Sequence, residues 1–159
     1  MNIIDFIGLL VQDAIWSAAA AVGFGILFNV PRRALLGCAI GGALGHATRT
    51  CLMEFGVIIE ISTLIGSTVI GFYGLVMARR YEMPVAMFTI SAAVTMVPGV
   101  FAFRTMMGML EISSADPETA SLALVTAASN GIKTGLILGA IAIGIAAPAL
   151  IFERPKPVV

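Results

Sequence analysis

The chain is 159 residues long, and 59% of its residues are apolar while only 11% are charged. Water-soluble domains are about 45–50% apolar and about 25% charged, so this composition, with a mean hydropathy of +1.04, excludes an ordinary soluble fold. The formal net charge is zero, which gives no reason to expect nucleic acid as a partner.

Five apolar stretches predict an all-α, polytopic transmembrane helical bundle that forms one integral-membrane domain over residues 1–159. A membrane-crossing helix needs about 20 residues, and each stretch is long enough. The predicted spans cover about residues 3–28, 34–53, 57–78, 85–110 and 120–152. The first contains Asp5 and Asp13 and has no Lys or Arg before its apolar part, so we interpret it as a retained span and not as a cleaved signal peptide.

The basic residues predict the orientation of the bundle. They occur in the first loop, the third loop and the C-terminal tail, as Arg32, Arg33, Arg79, Arg80, Arg154 and Lys156. The second and fourth loops with their edges carry only acidic charges, namely Glu54, Glu60, Glu111, Asp116 and Glu118. Since Lys and Arg accumulate in cytoplasmic loops, we expect the N-terminus outside and the C-terminus inside.

Small residues form two regular stripes along predicted spans. The second span contains Gly37, Gly41 and Gly45, and the fifth contains Gly131, Gly135 and Gly139. Glycines at this spacing let helix backbones approach closely in lipid. The stripes indicate either static helix packing or a moving interface.

Two cysteines, Cys38 and Cys51, lie 13 positions apart on one predicted helix. That separation is about 20 Å along the helix axis, whereas a disulfide needs Cα atoms within about 7 Å. We therefore interpret both as small apolar residues.

Charged side chains at membrane depth are the candidate functional residues. They are Asp13, His46, Arg49, Arg104 and Lys133. Each costs on the order of 2.5–3.5 kcal/mol to insert and usually faces a bundle interior or a wet cavity. The excess of positive charge favours an anion pathway, although the two arginines could instead extend towards outer headgroups.

Two further features refine this set. Thr126, Asn130 and Lys133 fall on one helical face, which predicts one polar stripe pointing the same way. Asp13 and His46 are candidates for proton coupling, because such groups can titrate near neutral pH. The alternatives are a structural ion pair of Asp13 with Lys133 and a histidine that is simply hydrogen-bonded in the interior.

The fourth span contains Met96-Val97-Pro98-Gly99. Proline removes a backbone hydrogen bond and clashes with the preceding turn, so a kink or a break is predicted there. If the span is broken, the half-helix after Pro98 presents free N–H groups and a positive dipole end to an anion, as in discontinuous transporter helices.

Sequence motifs of enzymes are missing. There is no P-loop, HExxH, GxSxG or paired-carboxylate constellation, and no Cys/His cluster with metal-ligand spacing. We expect neither an enzyme nor a cofactor, and any transport would be driven by gradients because no nucleotide site is present.

Several segments resemble the YjjB-like small, five-span membrane subunit of the threonine/serine exporter family. They are the Gln12-Asp13 to Phe24 opening, Phe28-Asn29-Val30-Pro31-Arg32-Arg33-Ala34-Leu35, Gly41-Gly42-Ala43-Leu44-Gly45-His46 to Arg49, and the Met96 to Gly99 break. The resemblance runs over nearly the whole chain, and none of these segments is a catalytic signature.

The resemblance implies a location in the bacterial inner membrane and a larger, YjjP-like partner subunit. It also implies export of small carboxylate metabolites, either dicarboxylates such as succinate or threonine and serine. If the partner also has five spans, the two halves would form an inverted repeat.

These observations predict a secondary-transporter subunit with a carboxylate site near the bilayer midplane. Lys133, Arg104 and Asn130 would attract the substrate, Pro98 and Gly99 would open the backbone, and Arg49 would line the outer exit. The alternative is a structural or assembly subunit whose buried charges pair with each other or with the partner. A self-sufficient channel ranks last.

Overall fold

The computed structural model describes residues 2–112 and 116–152, and these residues lie in helices or short connections without any strand. The helices are α1 (Ile3–Leu27), α2 (Arg32–Glu54), α3 (Ile59–Tyr81), α4 (Val85–Ala93), α5 (Gly99–Ile112) and α6 (Pro117–Phe152). A 3₁₀ turn, Val94–Met96, follows α4. The all-α prediction is confirmed, whereas the predicted polar tail with Arg154 and Lys156 lies outside the described residues.

Three of these helices, α1, α3 and the Thr119–Phe152 part of α6, are long and apolar enough to cross a membrane. A fourth span results if Val85–Met96 and Gly99–Ile112 count as one interrupted span. Helix α2 has the length of a span, but its glycines, His46 and Arg49 lower its hydropathy. The five-span count and the orientation therefore stay predictions.

Short backbone motifs end the first three helices. Asn29 and Gly56 take positive φ angles of 58° and 83°, and the following residues, Val30 and Val57, donate N–H bonds back to Gly25 and Leu52. Glu82, with φ of 53°, ends α3 in the same left-handed conformation. This C-terminal geometry satisfies carbonyls that the helix leaves unpaired, and it allows the connections between these helices to be short.

The chain groups into two compact units. One comprises residues 1–96 and 140–159, as far as they are described, and the other comprises residues 97–139. The boundary after Met96 coincides with the interruption between the 3₁₀ turn and α5.

Small residues allow α1, α2, α3 and α4 to pack closely in the first unit. A Cβ at Gly42 would lie 2.6 Å from the Cβ of Ala21 and 3.0 Å from the Ser17 carbonyl oxygen on α1. A Cβ at Gly37 would lie 2.7 Å from the ring of Phe88 on α4, which is fully buried. The glycine stripe of α2 is therefore a packing surface within this unit.

The second predicted stripe, on α6, is different. Nothing in the described part of the chain lies within 4 Å of a Cβ placed at Gly135 or Gly139, and a Cβ at Gly131 would only touch the Thr105 side chain at 3.4 Å. The same sequence pattern thus packs α2 but leaves most of the α6 face open.

The second unit is a pair of antiparallel helical segments, α5 and the first part of α6. A Cβ at Gly108 would lie 2.9 Å from the Cβ of Ala127, and Gly131 faces Thr105. None of the residues of α5 is buried. The pair consequently exposes most of its surface, including apolar side chains such as Phe103 and Leu122.

Candidate functional site

An acid and a histidine, both predicted as candidates for proton coupling, lie together between α1 and α2. The Nδ1 of His46 and the Oδ2 of Asp13 are 2.8 Å apart, and about a fifth of each side chain is exposed. The hydroxyl of Thr50 donates to the same carboxylate oxygen at 2.8 Å. The close α1–α2 approach at Gly42 places these side chains within reach.

This cluster is a hydrogen-bonded network around one carboxylate. Asp13 can accept hydrogen bonds both from the Thr50 hydroxyl and from a protonated Nδ1 of His46. The sequence identified Asp13 and His46 separately but missed Thr50. The signal was available, because residues i and i+4 share a helical face.

Arg49, one residue before Thr50, makes a different contact. Its guanidinium donates a hydrogen bond of 3.1 Å to the backbone carbonyl of Met96, the last residue of the 3₁₀ turn. Asp13 also interacts electrostatically with this guanidinium. Arg49, expected to line an outer exit, is therefore bound to the 3₁₀ turn that precedes the break before α5.

The interruption itself confirms the prediction from Pro98 and Gly99. The chain is non-helical at Val97 and Pro98, and α5 begins at Gly99. The Gly99 N–H bonds to the Val97 carbonyl at 2.9 Å, and the Ala102 N–H bonds to the Pro98 carbonyl at 3.1 Å. The break thus replaces regular helical bonds with a local turn.

An open cavity of about 460 Å³ lies within the second unit, between α5 and α6. Arg104 and Asn130, both predicted to bind substrate, line this cavity. The other lining residues are Phe103, Met107, Gly108, Glu111, Thr119, Leu122, Ala123 and Thr126. The cavity therefore combines an apolar wall with one cationic, one acidic and several neutral polar side chains.

Only part of the predicted polar stripe on α6 reaches the cavity. Thr126 and Asn130 line it, and the Asn130 side-chain amide donates one hydrogen bond of 2.9 Å to the Thr126 carbonyl. Lys133 is exposed, and its ammonium lies 5.7 Å from the centre of the Phe101 ring. Such a cation–π contact stabilises a charge without neutralising it.

The predicted site residues fall into two groups. Asp13, His46 and Arg49 belong to the first unit, whereas Pro98, Gly99, Arg104, Asn130 and Lys133 belong to the second. His46 and Thr50 bind the Asp13 carboxylate, and Lys133 lies over Phe101. The ion pair of Asp13 with Lys133 stays a prediction. Within residues 2–112 and 116–152, no group of three or more His, Cys, Asp or Glu side chains could hold a metal ion.

Comparison with known proteins adds a family match. A family model described as "Threonine/Serine exporter, ThrE" matches residues 13–151. No solved structure matches the chain.

Proposed function

Because the chain belongs to the threonine/serine exporter family, we propose that it is one membrane subunit of a secondary transporter that exports small carboxylate metabolites across the bacterial inner membrane. The family match covers most of the chain and supports a membrane exporter role. The apolar helices agree with a bilayer location. In this proposal the second unit binds the substrate and the first unit couples transport to protons.

The cavity between α5 and α6 is the observation that carries this proposal. Its volume of about 460 Å³ lies within the range of about 300–1,000 Å³ typical of small-molecule sites. Arg104 can bind a carboxylate through two parallel N–H bonds. Asn130 retains one amide hydrogen after its bond to Thr126, so it can contribute a further donor.

Lys133 would act on the substrate as a nearby positive charge. It lies on the α6 face of Asn130, and its contact with Phe101 leaves the charge in place. Arg104 and Lys133 are both exposed in this chain. Since unpaired charges at membrane depth are costly, we propose that a larger, YjjP-like partner subunit covers this surface and completes the site.

Proton coupling is assigned to the Asp13–His46 pair. The two side chains share a hydrogen bond and retain partial exposure, which a proton needs to enter and leave. Motion of this proton against the substrate would couple export to the proton gradient.

The proposed topology has five spans with the N-terminus outside. A partner that also has five spans would then form an inverted repeat with this chain.

We propose two substrate classes for this cavity: dicarboxylates such as succinate, and the amino acids threonine and serine. Each carries a carboxylate for Arg104. Glu111 also lines the cavity, and its carboxylate adds a negative charge there, which favours a substrate that carries an ammonium group as well.

Metabolite efflux tests the proposal. Cells with and without this chain, and with and without the partner, are loaded with succinate or threonine, and efflux is measured. Arg104→Met should lower efflux at least about tenfold, since a charge-assisted hydrogen bond of about 1.5–3 kcal/mol is lost, while Lys133→Met should raise the substrate concentration needed for half-maximal efflux. Lys133→Arg is the matched control. Unchanged efflux in both Met variants, at normal subunit levels, would refute the substrate site.

A structural or assembly subunit remains the second candidate. It is favoured by the polar contacts of the first unit, where Asp13 pairs with His46 and Arg49 pairs with a backbone carbonyl. If this candidate is correct, the variant with Asp13 and His46 exchanged should show better partner assembly and better efflux than either single variant. If the pair couples protons instead, the exchange should improve assembly but not efflux.

A further inference from the structure

The carbonyl of Met96 is left without its helical partner by the break in the fourth span. In a continuous α-helix it would accept the N–H of Val100. Here the chain leaves the helix at Val97 and Pro98, and α5 begins only at Gly99. Met96 is fully buried, so water offers no replacement donor, and an unsatisfied carbonyl there would be destabilising.

Arg49 supplies the missing donor. Its NH1 group lies 3.1 Å from the Met96 carbonyl oxygen, across 47 positions of sequence. A guanidinium is well suited to this task, because it carries five N–H donors and keeps its charge under all ordinary conditions. The contact fixes α2 to the end of the 3₁₀ turn.

Close packing holds Arg49 in this position. A Cβ at Gly66 on α3 would lie 2.7 Å from the Gly45 carbonyl, 3.4 Å from the Arg49 Cβ and 3.5 Å from the Met96 sulfur. Met96 itself is fully buried. Helices α2 and α3 therefore meet the 3₁₀ turn at a point where only a small residue fits on α3.

The same turn of α2 also carries the contacts to α1. His46 and Thr50, on either side of Arg49 in the sequence, both bind Asp13. The Asp13 carboxylate acts electrostatically on the guanidinium as well. One short segment of α2 thus connects the acid–histidine pair to the end of the broken span.

We propose that Arg49 is a positioning residue that holds the fourth span in its broken form by capping the Met96 carbonyl, and that it does not bind the substrate. Arg49 satisfies the Met96 carbonyl that the break at Pro98 leaves without its helical donor. This role rests on the proposed function in that the break serves transport. Its test measures stability, so its failure is distinguishable from a failure of the exporter assignment.

The test is a double-variant cycle on the purified full chain in mild detergent. Arg49→Met removes the donor and should lower the midpoint of thermal unfolding by about 5 °C. Pro98→Ala restores a backbone N–H and permits a continuous helix, in which Val100 can satisfy Met96. Arg49→Met should therefore cost at most about 1 °C when Pro98→Ala is also present. Arg49→Lys, which keeps a charged donor, should recover more than half of the loss.

Arg104→Met is the matched control, because Arg104 is also an arginine at predicted membrane depth but lines the cavity. It should leave the midpoint within about 1 °C of wild type, with or without Pro98→Ala. The proposal is overturned if Arg49→Met leaves the midpoint unchanged or raises it. It is equally overturned if Pro98→Ala fails to reduce the effect of Arg49→Met, since Arg49 would then stabilise something other than the break.

Discussion

Replacing Gly37 by alanine tests whether the α2 glycine stripe is a packing surface. The added methyl group would lie 2.7 Å from Cε1 and 2.9 Å from Cδ1 of Phe88. The Phe88 side chain is fully buried, so its ring cannot rotate away into free space. Gly135→Ala is the matched control, because it adds the same atom to the other glycine stripe at a place with nothing within 4 Å.

The magnitude follows from two opposing contributions. Overpacking a well-filled core costs about 1–3 kcal/mol, whereas exchanging glycine for alanine within a helix gains up to about 1 kcal/mol. Gly37→Ala should therefore lower the free energy of unfolding by about 1 kcal/mol, and Gly135→Ala should raise it by up to about 1 kcal/mol. The difference between the two variants isolates the packing contribution, which is about 2 kcal/mol.

Thermal unfolding in detergent measures this difference. At about 2–4 °C per kcal/mol, the fraction of monodisperse protein after heating should give midpoints that differ by about 4–8 °C. Phe88→Leu should cost less when Gly37→Ala is present than alone, because the smaller side chain makes room for the methyl group. A Gly37→Ala midpoint equal to or above that of Gly135→Ala would refute the packing argument.

Three further predictions concern transport and topology. Asp13→Asn should lower efflux driven by an imposed proton gradient by about tenfold or more, because the carboxylate that binds His46 and Thr50 is lost; unaltered gradient-driven efflux in vesicles would contradict this role. Glu111→Gln should raise succinate efflux relative to threonine efflux by about threefold or more, as competition assays can measure, since a repulsive charge leaves the cavity; an unchanged ratio would exclude Glu111 from selectivity. Single cysteines in place of Arg79 and Asp116, in a chain without Cys38 and Cys51, should react with an impermeant thiol reagent from opposite sides; labelling from one side would contradict the five-span topology.

The helical architecture could be predicted from local sequence because local physics determines it. Apolar stretches of span length, separated by segments such as Asn29-Val30-Pro31 and Glu82-Met83-Pro84, predicted helices within a few residues of those observed. Pro98 predicted the break in the same way, since a missing N–H and a steric clash act within one turn of helix. The number of spans could not be predicted from the same signals, because α2 has the length of a span but contains both apolar and polar residues.

The candidate site could be predicted only as a set of residues. Charge at membrane depth is costly wherever the helices pack, so Asp13, His46, Arg49, Arg104 and Lys133 were identifiable one by one. Their partners were not, because a partner depends on which helix faces compete for the same side chain. Thr50 was missed for this reason, since it is not unusual until its bond to Asp13 is known.

The sequence by itself determined that this chain is helical and apolar, that the helix is interrupted at Pro98, and which few charges need a partner. Only the tertiary structure decided that Asp13 binds His46 and Thr50, that Arg49 caps Met96, and that one glycine stripe is packed while the other is open. The physical reason is the sequence separation of the interacting residues. Helix formation and helix breaking depend on residues a few positions apart, whereas a hydrogen bond across 47 positions forms only after the helices have packed against each other.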